Sequence, residues 1–130
     1  MRKHTTKKIG DMGEDYAAAY LKKQGYKIIE RNYRKNYGEI DSIAKKADIL
    51  CFVEVKTRHS ESVTRPYEAV DFRKRKKIIN TASAYLTENR LECFCRFDVC
   101  EVFVNKETLR LEKINYIESA FDLDSDGAYY

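Results

Sequence analysis

Four charged residues interrupt two runs of strand-forming residues in the stretch GEIDSIAKKADILCFVEVKTR, residues 38–58: Glu39, Asp41, Glu54 and Lys56. Side chains alternate faces along a strand, so Glu39 shares a face with Asp41, and Glu54 shares one with Lys56. A hairpin turning at Ala47–Asp48 sets Asp41 opposite Glu54 and Glu39 opposite Lys56. Cβ atoms paired this way lie about 4.5–5.5 Å apart. Two carboxylates at that separation repel unless a proton or a cation lies between them. A divalent metal is such a cation. The pairing depends on register, because a one-residue slip sends Asp41 to the other face. Ala-Asp is not a strong hairpin turn, so the turn alone does not fix that register.

A further acid comes from an earlier segment. Residues 9–24 read as a helix, rich in alanine and stopped by Gly25. Glu14 shares a helical face there with Gly10, Ala17, Ala18 and Leu21. That face is small and apolar, suited to close packing on a sheet. A carboxylate on it needs a lysine or a metal as partner. Acid-x-Lys is a cheap match in a chain with 21 acidic residues, and Glu54-Val55-Lys56 alone reads equally as a salt bridge on a solvated strand. The convergence of Asp41, Glu14 and an apolar strand ending in Glu-x-Lys raises the functional reading.

These groups need a scaffold. Strands are expected over 26–33, 38–45, 49–57, 96–104 and 108–116, with a second helix from Tyr67 to about Asn89 and a polar loop over 58–66. Val70, Ile78, Ala82, Tyr85 and Leu86 mark the apolar stripe of that helix. The order α-β-β-β-α-β-β predicts an α/β fold, a mixed sheet flanked by helices. At 130 residues the chain suits a single domain over 1–120, followed by an acidic, loose tail over 121–130. Hydrophobic residues make up 43% and charged residues 35%, a globular composition. No apolar run is long enough to span a membrane, and no apolar segment follows the basic N-terminus as in a signal peptide. The cytoplasm is therefore the expected compartment.

Glu14, then Gly38-Glu39-Ile40-Asp41, then Phe52-Val53-Glu54-Val55-Lys56-Thr57-Arg58, then Arg96-Phe97-Asp98-Val99 resembles the small bacterial YraN-like family. That family in turn resembles the PD-(D/E)xK nucleases, archaeal Holliday-junction resolvases among them. The resemblance spans roughly residues 9–105. It implies a restriction-endonuclease-like core and a metal-dependent DNA endonuclease acting on branched or otherwise structured DNA. The site it implies is Asp41, Glu54 and Lys56, with Glu14 as the helix acid. Asp41 and Glu54, helped by the Val55 carbonyl, would hold Mg²⁺ or Mn²⁺, and Glu14 would complete the shell or hold a second ion. Ile40 stands where the family name has proline. Resolvase relatives act as dimers, which implies a homodimer. The alternative from another class is a nuclease-fold DNA-binding or adaptor protein with little activity of its own.

The formal net charge is +4, and its distribution says more than its size. DNA contact is expected from Arg58 and Arg65 in the loop and from Arg73, Lys74, Lys76 and Lys77 on the second helix, although a solvated basic helix face would read the same. Nothing resembles a base-reading element, so recognition of shape is expected, with branched or single-stranded DNA as partner. Tyr33 and Tyr37 flank the site, where one could stack on an unpaired base. Glu39 reads either as a direct participant in the site or as a structural partner of Lys56 or Arg58, and Asp98 as a structural partner of Arg96 or Lys56. Cys51, Cys93, Cys95 and Cys100 read as reduced core thiols; zinc would need a fourth ligand from Cys51 or His59. Asp122-Leu123-Asp124-Ser125-Asp126-Gly127 opens like an EF-hand loop but lacks the closing bidentate acid, and reads as a solvated tail.

Overall fold

The structure, a computed structural model, describes residues 4–59 and 71–121. Arg65, most of the polar loop, Tyr67–Val70 of the expected second helix and the EF-hand-like hexapeptide lie outside these residues. Two helices and five strands follow in the expected order: α1 (Thr6–Lys23), β1 (Lys27–Lys35), β2 (Gly38–Lys46), β3 (Ile49–His59), α2 (Phe72–Glu88), β4 (Phe94–Val104) and β5 (Leu111–Phe121). Thr5 caps α1 by accepting from the Lys8 N–H, and Asp71 caps α2 by accepting from the Lys74 N–H.

The strands form one sheet in chain order, β1-β2-β3-β4-β5. The β1–β2, β2–β3 and β4–β5 pairs are antiparallel, and β3–β4 is parallel, because α2 carries the chain back between them. The β2–β3 hairpin turns at Ala47, whose φ of 53° is left-handed, and pairs Ser42 with Val53 and Lys46 with Ile49. This is the register expected from the sequence over those residues; the ladder does not extend to the expected Asp41–Glu54 and Glu39–Lys56 pairs.

Side chains of β3 split cleanly between two cores. Leu50 and Phe52 pack with Ile78, Ile79, Ala82 and Tyr85 of α2. Cys51, Val53 and Val55 pack with Ala17 and Leu21 of α1. The sheet is thus covered on both faces, which is why β3 reads as a continuous apolar run. Two glycines let the helices come close. A Cβ on Gly13 would fall 1.7 Å from Thr57 Oγ1, and one on Gly38 would fall 2.3 Å from Thr81 Oγ1 and 2.9 Å from the Lys77 carbonyl. Gly10, expected on the packing face, has open space around it.

Strand β5 departs from expectation at both ends. Asn105 accepts from the Glu107 and Thr108 N–H groups, which builds a turn where a strand start was expected. Leu109 there has φ 60° and is 2% exposed. The strand then continues through Phe121, which is buried and stacks on Phe97 at 5.1 Å. An aromatic anchor therefore holds residues that the acidic surroundings suggested were loose.

Candidate active site

The site lies where β2 and β3 meet the N-terminal turn of α2. A pocket of about 220 Å³ is lined by Glu14, Gly38, Glu39, Asp41, Glu54, Val55, Lys74, Lys77 and Ile78. Glu54 follows Phe52 by two residues and so faces α2, at the rim of an apolar core. It is only 5% exposed. Strand alternation in β2 breaks beside it. Ile40 and Ile43 are three apart yet both join the core under α2. Asp41 sits at that break and accepts a hydrogen bond from the Val55 N–H at 2.8 Å. The carboxylate takes the place of a ladder partner and is thereby pinned beside Glu54.

Burial and the neighbouring Glu54 push the Asp41 carboxyl up to about 8. Burial is the larger cause and the like charge of Glu54 the second. Lys74, from the first turn of α2, puts Nζ 2.5 Å from Glu54 Oε2. Lys56 Nζ stands 3.8 Å from the same oxygen. Burial and the adjacent Lys74 ammonium hold Lys56 below the ordinary lysine value. Burial also opposes charge on Lys74, but its hydrogen bond to Glu54 outweighs that and raises it.

Glu14 lines the same pocket from α1. Burial and then the Glu39 charge raise its carboxyl above the usual value, and Asn32 donates to it at 3.3 Å. Among the described residues, however, no three His, Cys, Asp or Glu side chains form a group that could hold a metal ion. Asp41 and Glu54 are the close pair, and Glu14 stands off from them. Glu39 pairs with its cross-strand neighbour Arg34 at 3.0 Å, not with Lys56 or Arg58.

The remaining expected residues divide. Arg73, Lys76 and Lys77 are exposed on α2, with Lys76 over the Phe72 ring at 5.0 Å. Lys74 is turned into the acid pair. Arg58 binds the fully buried Glu101 at 3.1 Å and is itself 15% exposed; Asn115 donates to the same carboxylate. Asp98, also fully buried, takes both Arg96 nitrogens, the Tyr116 hydroxyl and the Ser119 N–H. Its partner is thus Arg96, in a network on the far side of the sheet from Glu54. Tyr33 is a core residue that donates to Glu88 at 2.5 Å, whereas Tyr37 is 48% exposed.

The cysteines are not all core thiols. Cys51 and Cys100 are buried, and burial pushes both up to about 12. Cys93 and Cys95 are exposed. Cys95 and Cys100 are an odd number of residues apart on β4 and face opposite ways, so Cys93, Cys95 and Cys100 do not converge on a zinc site. A larger groove of about 880 Å³ lies toward the β2–β3 turn, lined by Ile29, Leu50, Tyr85, Leu91 and Phe94 among others. It is mainly apolar, and the convergent carboxylates and amines that chemistry needs are in the smaller pocket.

Sequence likeness agrees with this geometry in extent. The model of an uncharacterised protein family, UPF0102, matches residues 13–102, from Gly13 of α1 into β4. This chain belongs to UPF0102. A UPF0102 protein of Caldanaerobacter subterraneus subsp. tengcongensis is 47% identical over 122 residues, covering 93% of this chain and 100% of that protein. One from Clostridioides difficile is 50% identical over 117 residues, 88% of this chain and 97% of its own length. One from Alkaliphilus metalliredigens is 46% identical, with 89% and 99% covered. The UPF0102 match takes in Glu14, Asp41, Glu54, Lys56 and Lys74 and stops short of β5.

Proposed function

We propose that this UPF0102 protein is a metal-dependent endonuclease that hydrolyses phosphodiester bonds in branched or otherwise structured DNA. The observation that carries this reading is the nearly buried Asp41–Glu54 pair with two lysines against it. The donor set fits Mg²⁺ or Mn²⁺: two hard carboxylates that repel each other, beside the carbonyl of Val55, with room for water in the pocket. A divalent ion bound there supplies a Lewis acid and a polarised water for attack on phosphorus.

The chain's own groups do the rest. Asp41, fixed by the Val55 N–H, and Glu54, fixed by burial, present oxygens without needing to rearrange. Lys56 orients a water and counters the charge that develops at phosphorus; burial and the Lys74 ammonium lower its pKa, which favours acceptance of a proton from that water. Glu14 reaches the pocket from α1 and acts through water. Arg73, Lys76 and Lys77 bind phosphates beside the site, and Tyr37 offers a ring to an unpaired base. A nuclease-fold DNA-binding or adaptor protein is the second reading, favoured by Lys74 already satisfying Glu54.

Labelled linear, single-stranded, flapped and four-way-branched DNA with Mg²⁺, Mn²⁺ or EDTA separates the two. Metal-dependent cutting that Glu54→Ala and Asp41→Ala abolish, in variants that remain folded, supports the nuclease. Salt-sensitive binding without cutting supports the adaptor.

A further inference from the structure

Lys74 stands where a cation belongs. Its Nζ is 2.5 Å from Glu54 Oε2, closer than the 3.8 Å of Lys56 Nζ. Glu54 is 5% exposed, while the Lys74 side chain is 42% exposed. The acid is fixed in the sheet, and the amine reaches it from outside, from the first turn of α2, with a long flexible stem. Lys77, one turn further on, lines the same pocket but keeps its side chain exposed. A carboxylate pair with Glu54 buried and Asp41 half-buried needs a positive charge, and α2 provides one from its exposed side.

We infer that Lys74 is an exchangeable occupant of the metal seat: its ammonium holds the Asp41–Glu54 pair together and is displaced when a divalent ion binds. This rests on the proposed metal site. Ion binding is then a swap of one cation for another, and the protein is weakly responsive to metal until Lys74 leaves Glu54. An ordinary structural ion pair would remain in place whether or not metal is bound. Exchange makes the two cations competitors, and removing Lys74 should have opposite effects on the two states.

The test compares wild type, Lys74→Met and Lys77→Met. Mn²⁺ binding is followed by calorimetry and electron paramagnetic resonance, and thermal unfolding is followed with EDTA and with saturating Mn²⁺. Exchange predicts that Lys74→Met lowers the melting temperature in EDTA, loses that deficit in Mn²⁺, and tightens Mn²⁺ binding by about tenfold. Lys77→Met, which removes an equal charge from the same pocket, should change affinity far less. Equal tightening in both variants would overturn the inference in favour of general charge. A deficit that persists in Mn²⁺ would overturn it in favour of a fixed ion pair. Binding by Lys74→Met but not by wild type would support it in its strongest form. If neither binds Mn²⁺, the metal site itself fails and the inference falls with it.

Discussion

Asp41 is held between conflicting demands. Its hydrogen bond from Val55 favours the charged form, while burial and Glu54 oppose it more strongly and push the carboxyl up to about 8. The unfolded chain has no such penalty. A carboxyl raised by folding gives stability that is full below its unfolded value near 3.8 and is lost as pH rises through about 8. In chelated protein, Asp41→Asn should therefore gain stability relative to wild type, and the gain should grow as pH rises across that window. Urea unfolding at a series of pH values measures the difference; a flat difference would show that Asp41 is not strained. Alternation together with an assumed hairpin register made Asp41, Glu54 and Lys56 legible as neighbours, although alternation in β2 breaks at Asp41. Lys74 was legible only as one base in a run of five. Its spacing of four from Ile78 places it on the inward stripe of α2, a signal that the charge of the run obscured.

Helices and strands settle how closely those residues meet. Gly38 opens β2, and its missing Cβ lets α2 lie against the strand; Gly13 does the same for α1 against Thr57 of β3. A methyl at Gly38 meets the Lys77 carbonyl as well as Thr81, so backbone must move. Gly38→Ala is expected to cost about 1–3 kcal/mol in denaturant unfolding. Gly10→Ala, in open space within α1, should instead be neutral or stabilising by up to about 1 kcal/mol. Equal effects at the two positions would sink this account. Element order and the β2–β3 turn were readable because β3 alternates between two apolar faces and Lys45-Lys46-Ala47-Asp48 breaks the apolar run before it. Element ends were less so. The start of β5 was hidden by the side-chain turn at Asn105, and its end by Phe121, a single aromatic at the edge of an acidic stretch.

Across the whole molecule, positive charge gathers on one side of the pocket. Arg73, Lys76 and Lys77 are exposed on α2, whereas Arg58 is committed to Glu101 and Lys74 to Glu54. Three exposed bases contacting three phosphates imply that the logarithm of affinity falls with that of salt at a slope of about −2.7, or roughly fortyfold weaker binding between 50 and 200 mM. Fluorescence anisotropy with Arg73→Glu and Lys77→Glu measures each contribution. A slope near zero would remove α2 from the DNA interface. The sequence could not make this division, because a basic run and a buried ion pair look alike until a fold assigns partners.

The chain-order sheet has a consequence for how the protein is made. Asp41, Glu54 and Lys56 all precede residue 60, on a meander of adjacent strands that needs only local contacts. The compensating ammonium of Lys74 arrives with α2, and the parallel β3–β4 pairing must wait for it. During synthesis at about 5–20 residues per second, the acid pair is thus complete, with Lys56 beside it, before Lys74 exists. A cation from solution can screen it in that interval, so the first occupant of the seat in a nascent chain need not be the lysine.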